Sequence, residues 1–174
     1  MSLDDHLRIV QGDITTFDVD VIVNAANVAL MAGGGVCGAI HRAAGPELAE
    51  SCREVAPCPT GEARLTPGYL LKARYVIHAV GPVWMGGKCG EDQLLSSCYR
   101  AALALAERHQ LATMAFPAIS TGIFRFPLER ATALALQEIQ LALARAQYIK
   151  QVTCVCFDEI TLDMYTVMGA RLAR

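Results

Sequence analysis

Four short apolar runs dominate the sequence, and each stops abruptly at a polar or glycine-bearing loop. They are Val19–Val23 (VDVIV), Tyr75–Val80 (YVIHAV), Thr113–Pro117 (TMAFP) and Val152–Phe157 (VTCVCF). Runs this short, rich in β-branched residues and without sustained polar alternation, fit strands covered on both faces. Leu7–Gln11, closed by Gly12-Asp13, reads as a further strand. Between them lie stretches of helical character: Val36 to Ala44, a second helix opened by Pro46, and a third marked by Leu94, Cys98, Ala101 and Leu105. A long helix is predicted from Pro127 to Gln147, and a closing one striped by Leu162, Tyr165, Met168 and Leu172. Pro57–Pro67 reads as loop or edge strand. The alternation predicts an α/β fold. No linker, repeat or low-complexity segment interrupts it, so one domain across residues 1–174 is expected.

Composition removes several classes of function. Apolar residues make up 53% of the chain and charged ones 18%, which excludes a disordered tail protein. Fifteen Lys and Arg against seventeen Asp and Glu leave a net charge of −2, without the basic field a general nucleic-acid binder needs. Nucleic acid is therefore not an expected partner. No run approaches the roughly 18–20 apolar residues that span a bilayer, so no membrane partner is expected either. The acidic, polar opening Met1–His6 lacks the pattern of a signal peptide. Seven cysteines (37, 52, 58, 89, 98, 154 and 156) are odd in number, scattered and without a CxxC pair. That argues for a reduced, cytoplasmic protein with neither a disulfide framework nor a zinc site. Cys154 and Cys156, flanking Val155, are expected on one face of a strand.

Three strand ends carry the chemistry. Gly12-Asp13-Ile14-Thr15, Asn24 through Gly35 into the helix at Val36, and Ser120-Thr121-Gly122-Ile123-Phe124 each follow an apolar run directly. In open α/β sheets, ligands bind beyond the carboxyl ends of the strands. Consecutive glycines let backbone N–H groups approach an anion, and a helix N-terminus adds partial positive charge without any ionised side chain. Two such loops predict a diphosphate held by backbone. No GxGxxG opens the first helix and no GKS or GKT follows the glycines, which sets aside dinucleotide-fold and P-loop chemistry.

Gly12–Thr15 (GDIT), Val19–Asn27 (VDVIVNAAN), Gly33–Leu48 (GGGVCGAIHRAAGPEL), Thr60–Tyr69 (TGEARLTPGY), Tyr75–Pro82 (YVIHAVGP) and Phe116–Pro127 (FPAISTGIFRFP) together resemble the macrodomain family, closest to its MacroD-type branch. The resemblance runs from about Leu7 to Leu172. It implies a three-layer αβα sandwich around a central mixed sheet, with a cleft for ADP-ribose. It further implies hydrolysis of ester-linked ADP-ribose, as in O-acetyl-ADP-ribose or ADP-ribosylated acidic side chains of proteins, with no metal or other cofactor. By position, Asp13 resembles the carboxylate that receives the adenine amino group, and Ile14 the backbone donor to the ring. Gly34, Gly35, Val36 and Ser120, Thr121, Gly122, Ile123 and Phe124 resemble the phosphate cradle, Phe124 also packing by the distal ribose. Asn27 resembles the residue that bonds that ribose, and Asn24 one that orders the loop.

Cys37 departs from the pattern. The MacroD-type motif has an aspartate at this position, which helps position or activate the attacking water. A carboxylate accepts a proton in the transition state and a neutral thiol accepts poorly, so the departure bears on catalysis and not on binding. Two functions follow: a hydrolase whose water is oriented by Asn27 and a substrate phosphate, or a module that binds ADP-ribose without cleaving it. Cys37 and His41 stand four residues apart at a helix start, the spacing of a Cys–His nucleophile pair, against which stands a packing role for both. His78, within a strand, is expected to be packed with its ring satisfied. Trp84 either covers the core or stacks on ligand. Arg125 pairs with a phosphate or a modified side chain, or points into solvent.

Overall fold

The computed structural model describes residues 5–173. Six strands, β1 (Leu7–Gln11), β2 (Val21–Ala25), β3 (Ala63–Pro67), β4 (Tyr75–Ala79), β5 (Thr113–Phe116) and β6 (Gln151–Cys156), form one sheet in the order β1-β6-β5-β2-β4-β3. Neighbours are parallel except β3, which runs antiparallel to β4. The sheet is therefore mixed, and the Pro57–Pro67 segment supplies its edge strand. Pro67 has no N–H to donate, which an edge tolerates.

Strand alternation sorts the apolar side chains into two cores. Val21, Val23, Ile77, Met114, Phe116, Val152, Cys154 and Cys156 lie on one face, against α3 (Glu91–Arg108), α4 (Leu128–Leu143) and α5 (Glu159–Leu172). Their neighbours Ile22, Val76, Ala115 and Val155 lie on the other, with residues of α1 (Gly35–Ala44) and α2 (Glu47–Val55). Both faces being covered explains why the strands read as continuous apolar runs. Each fully buried aliphatic chain contributes about 1.5–3 kcal/mol. Three layers result, as the family resemblance implies.

Several boundaries differ from the sequence reading, three of them with consequences for the loops. The strand expected at Val19–Val23 begins at Val21 and continues through Asn24 to Ala25. Asp20 is instead a tether: its carboxylate accepts N–H bonds from Ala112 (2.7 Å) and Thr113 (3.1 Å). The helix expected to reach Gln147 ends at Leu143, because Glu107 draws the N–H groups of Gln147, Tyr148 and Ile149 onto its carboxylate. The last strand stops at Cys156, which leaves Phe157 87% exposed. Among the described residues no helix is long and apolar enough to cross a membrane.

The five parallel strands deliver their C-terminal ends to one edge of the sheet. Every loop singled out above leaves from that edge.

Candidate functional site

A cleft of about 260 Å³ opens at this edge between β2 and β5. Its walls are the two predicted loops: Asn27, Gly34, Gly35, Val36 and Cys37 on one side, and Ser120, Gly122, Ile123 and Phe124 on the other. Thr121, which points its hydroxyl at the Ala118 carbonyl (3.4 Å), is absent from the lining. Residues 26–37 and 117–124 contain no charged side chain.

The glycine wall is the N-terminus of α1. Gly34 is its N-cap, no side chain caps the helix, and no acidic residue lies in its first turn. The first N–H groups of a helix have no intrahelical partner and carry about half a positive charge together. At the cleft, this end is free to take an anion. Gly38 allows the loop to fold this tightly, since a Cβ there would run into the Gly33 carbonyl oxygen. Across the cleft, Ser120 holds a left-handed backbone (φ 67°), and its buried hydroxyl has no hydrogen-bond partner among the described residues. It packs against Gly81, where a Cβ would collide with the Ser120 hydroxyl.

Asn27 closes its own loop, its Nδ2 donating to the Met31 carbonyl (2.9 Å) and its Oδ1 accepting from the Met31 N–H (3.1 Å). Each end of the amide keeps a second bonding position. Loop ordering thus falls to Asn27. Asn24, to which the sequence reading gave that task, is buried behind the cleft, and its Nδ2 faces His78 Nδ1 (3.1 Å) and Cys37 Sγ (3.7 Å). His78 is fully buried and its Nε2 meets Thr66 Oγ1 at 2.9 Å. Burial, with His41 nearby, lowers its pKa to about 3, so the ring is neutral. Its packing role is as expected.

Cys37 is 5% exposed, and its Sγ donates to the Met31 carbonyl at 3.5 Å. No hydrogen bond joins it to His41 among the described residues. The His41 ring lies 6.5 Å from His78 with Nε2 unpartnered, its pKa lowered by burial. The geometry is that of two packed residues and not of a nucleophile pair. Arg125 is exposed, with a left-handed backbone (φ 60°). Trp84 is half-buried against Phe126, with ring centroids 4.8 Å apart.

Asp13 and Ile14 lie outside the cleft, at the end of β1. Three strand spacings separate β1 from β2, about 14 Å. Asp13 is exposed and caps the 3-10 turn Ile14–Thr16, its Oδ1 accepting from the Thr15 N–H (2.9 Å) and hydroxyl (2.7 Å). The Ile14 side chain is buried in the core beside α1. Sequence reasoning missed Phe157. Gln11 pairs with Cys156, and Gln11 Nε2 reaches the Phe157 carbonyl (3.5 Å), so exposed Phe157 follows β6 beside the strand that leads into Asp13. Its position as last residue of an apolar run was the available signal. Among the described residues no cluster of His, Cys, Asp or Glu is arranged to hold a metal.

A three-layer fold with an uncharged, amide-lined cleft at the strand ends defines an α/β protein whose cleft is suited to an anion. Residues 23–135 match the Macro domain family, and the chain belongs to it. It is 48% identical to the O-acetyl-ADP-ribose deacetylase of Salmonella gallinarum over 164 residues, 92% of each chain. The Oceanobacillus iheyensis macrodomain solved with ADP superposes with a TM-score of 0.93 at 42% identity, covering 99% of this chain and 94% of that one. The Trypanosoma brucei macrodomain in complex with ADP-ribose gives 0.89 at 41% identity, covering 94% and 69%.

Proposed function

We propose that the protein binds ADP-ribose along the C-terminal edge of its sheet and hydrolyses an ester carried by the distal ribose. O-acetyl-ADP-ribose and ADP-ribosylated acidic side chains are the substrate classes. The observation that carries this reading is the uncapped N-terminus of α1, open onto a cleft without charged walls. A diphosphate there gains N–H donors from Gly34–Val36 and from the Ser120–Phe124 loop. Asp13 receives the adenine amino group about 14 Å away across three strand spacings, and the exposed Phe157 ring offers the purine a face to stack on. Phe124 borders the distal ribose, and Asn27 uses its spare bonding positions on a ribose hydroxyl and the attacking water. The relatives solved with ADP and ADP-ribose, and the deacetylase, support this reading. Scattered, unpaired cysteines favour work in the reducing cytoplasm, by one domain formed from the whole chain.

A second reading is a binder without turnover. It is favoured by Cys37, whose thiol donates to Met31 and so offers the water no strong acceptor. Calorimetric titration with ADP-ribose, ADP and NAD tests the cleft, and acetate release from O-acetyl-ADP-ribose, measured against Asn27→Ala, tests the chemistry. Acetate release above that control supports the hydrolase. Binding without it supports the reader, and no binding of ADP-ribose rejects both.

A further inference from the structure

The Ser120–Phe124 wall does not stand alone. The neighbouring loop, residues 81–90, leans on it through one backbone bond, the Trp84 N–H to the Phe124 carbonyl at 2.8 Å. Trp84 is fixed from both sides. Its indole packs on Phe126, the Arg130 guanidinium lies 5.3 Å from its centroid, and Asp92 grips that guanidinium by two bonds of 2.7 and 2.6 Å.

The loop itself is organised by Glu91, the first residue of α3. This side chain is 2% exposed and folds back on the segment before it. Oε1 accepts from the N–H groups of Met85 (2.8 Å) and Gly87 (3.0 Å), and Oε2 from Cys89 (2.8 Å). Burial pushes the carboxyl pKa up, but these N–H bonds outweigh it and hold the group at about 2. One ionised carboxylate thus gathers three amides of a glycine-rich loop that would otherwise sample many conformations. The chain of contact runs from Glu91 to the loop, from Trp84 to Phe124, and from Phe124 to the cleft it lines.

We propose that Glu91 and Trp84 are positioning residues that set the placement of Phe124 and so the cleft's preference for ADP-ribose over ADP. The inference rests on the reading above that Phe124 borders the distal ribose. ADP has no distal ribose and shares only the loop's amides, so an error in the placement of the Phe124 ring penalises ADP-ribose more than ADP. A purely structural role for the pair changes melting temperature, or weakens both nucleotides in the same proportion.

The test is calorimetric affinity for ADP and for ADP-ribose with the parent protein, Glu91→Ala, Glu91→Gln and Trp84→Phe. Glu91→Ala is expected to raise the ADP-ribose Kd about tenfold and that of ADP less than about twofold. Glu91→Gln keeps one carbonyl oxygen for Met85 and Gly87 and should recover part of the preference. Trp84→Phe, which retains the backbone bond but loses much of the ring packing, is expected to shift the preference in the same direction. It decides the matter if Glu91→Ala does not fold. Equal shifts for both nucleotides, or an unchanged ratio in a folded variant, overturn the proposal while leaving the cleft assignment intact. A parent protein that binds neither nucleotide overturns the cleft assignment and this inference together.

Discussion

Gly81→Ala tests how tightly the two cleft loops are fitted to each other. A methyl group at residue 81 would overlap the Ser120 hydroxyl and stand 2.6 Å from Ile119 Cγ2. Carbon atoms in contact settle at about 3.5–4.0 Å, so the Ile119 methyl has to retreat by about 1 Å. Ile119 is 2% exposed and packed into the core, so its retreat presses on buried neighbours or on the cleft it lines. Ser120, next to it, is already held in a left-handed conformation that bulky residues rarely adopt. Overpacking of this kind costs about 1–3 kcal/mol. For a chain of this size that lowers the melting temperature by about 2–12 °C. The same displacement moves the Ser120–Phe124 amides, and a misplacement of about 1 Å is worth up to about 100-fold in a positioned site. Thermal melting and calorimetry with ADP measure both effects on one preparation. A Gly81→Ala protein that melts with the parent and binds ADP equally well would falsify the claim that this contact sets the loop.

Other outcomes follow from named groups. Cys37→Asp restores a proton acceptor where Asn24 already presents an N–H, and should raise acetate release by about 10²–10⁴-fold; a rate no faster than the parent's rejects the general-base account of this position. Parent protein should prefer ADP over inosine diphosphate, which lacks the adenine amino group, by about tenfold or more, and Asp13→Asn should erase the preference. The chain has a single tryptophan, bonded to the Ser120–Phe124 loop, so saturating ADP-ribose should change its fluorescence emission, and Trp84→Phe supplies the blank. His78 resists protonation in the folded state, its pKa held at about 3, whereas the unfolded chain takes up that proton near pH 6.5. Stability should therefore fall as pH drops from about 6.5 to 3, by about 4–5 kcal/mol in all from this residue. A folded His78→Gln variant whose acid-unfolding slope matches the parent's removes His78 as the cause.

The strands and the cleft loops were legible because their chemistry is local. An apolar run ending in glycines states both a covered strand and an open backbone, and the walls at Gly34–Cys37 and Ser120–Phe124 follow in sequence order. What escaped reading depends on neighbours across the sheet. Asn24 faces His78 only because β2 and β4 align in parallel at that register, although two polar residues inside apolar runs hinted at a pair. Nothing local in the sequence marks Glu91 as folding back onto three amides. Phe157 was counted into its strand because its hydrophobicity continues the run, yet the ladder ends one residue earlier. The helix after Pro127 was drawn too long for a similar reason: Glu107, forty residues away in sequence, claims the amides that would have extended it.

The uncharged walls of the cleft have a consequence for how the protein responds to its surroundings. Peptide amides neither gain nor lose protons across the physiological range, and they carry no counterion cloud to shed. On the proposed function, grip on a diphosphate should stay level through swings in acidity, and moderate salt should loosen it only weakly. Occupancy then tracks the supply of nucleotide itself.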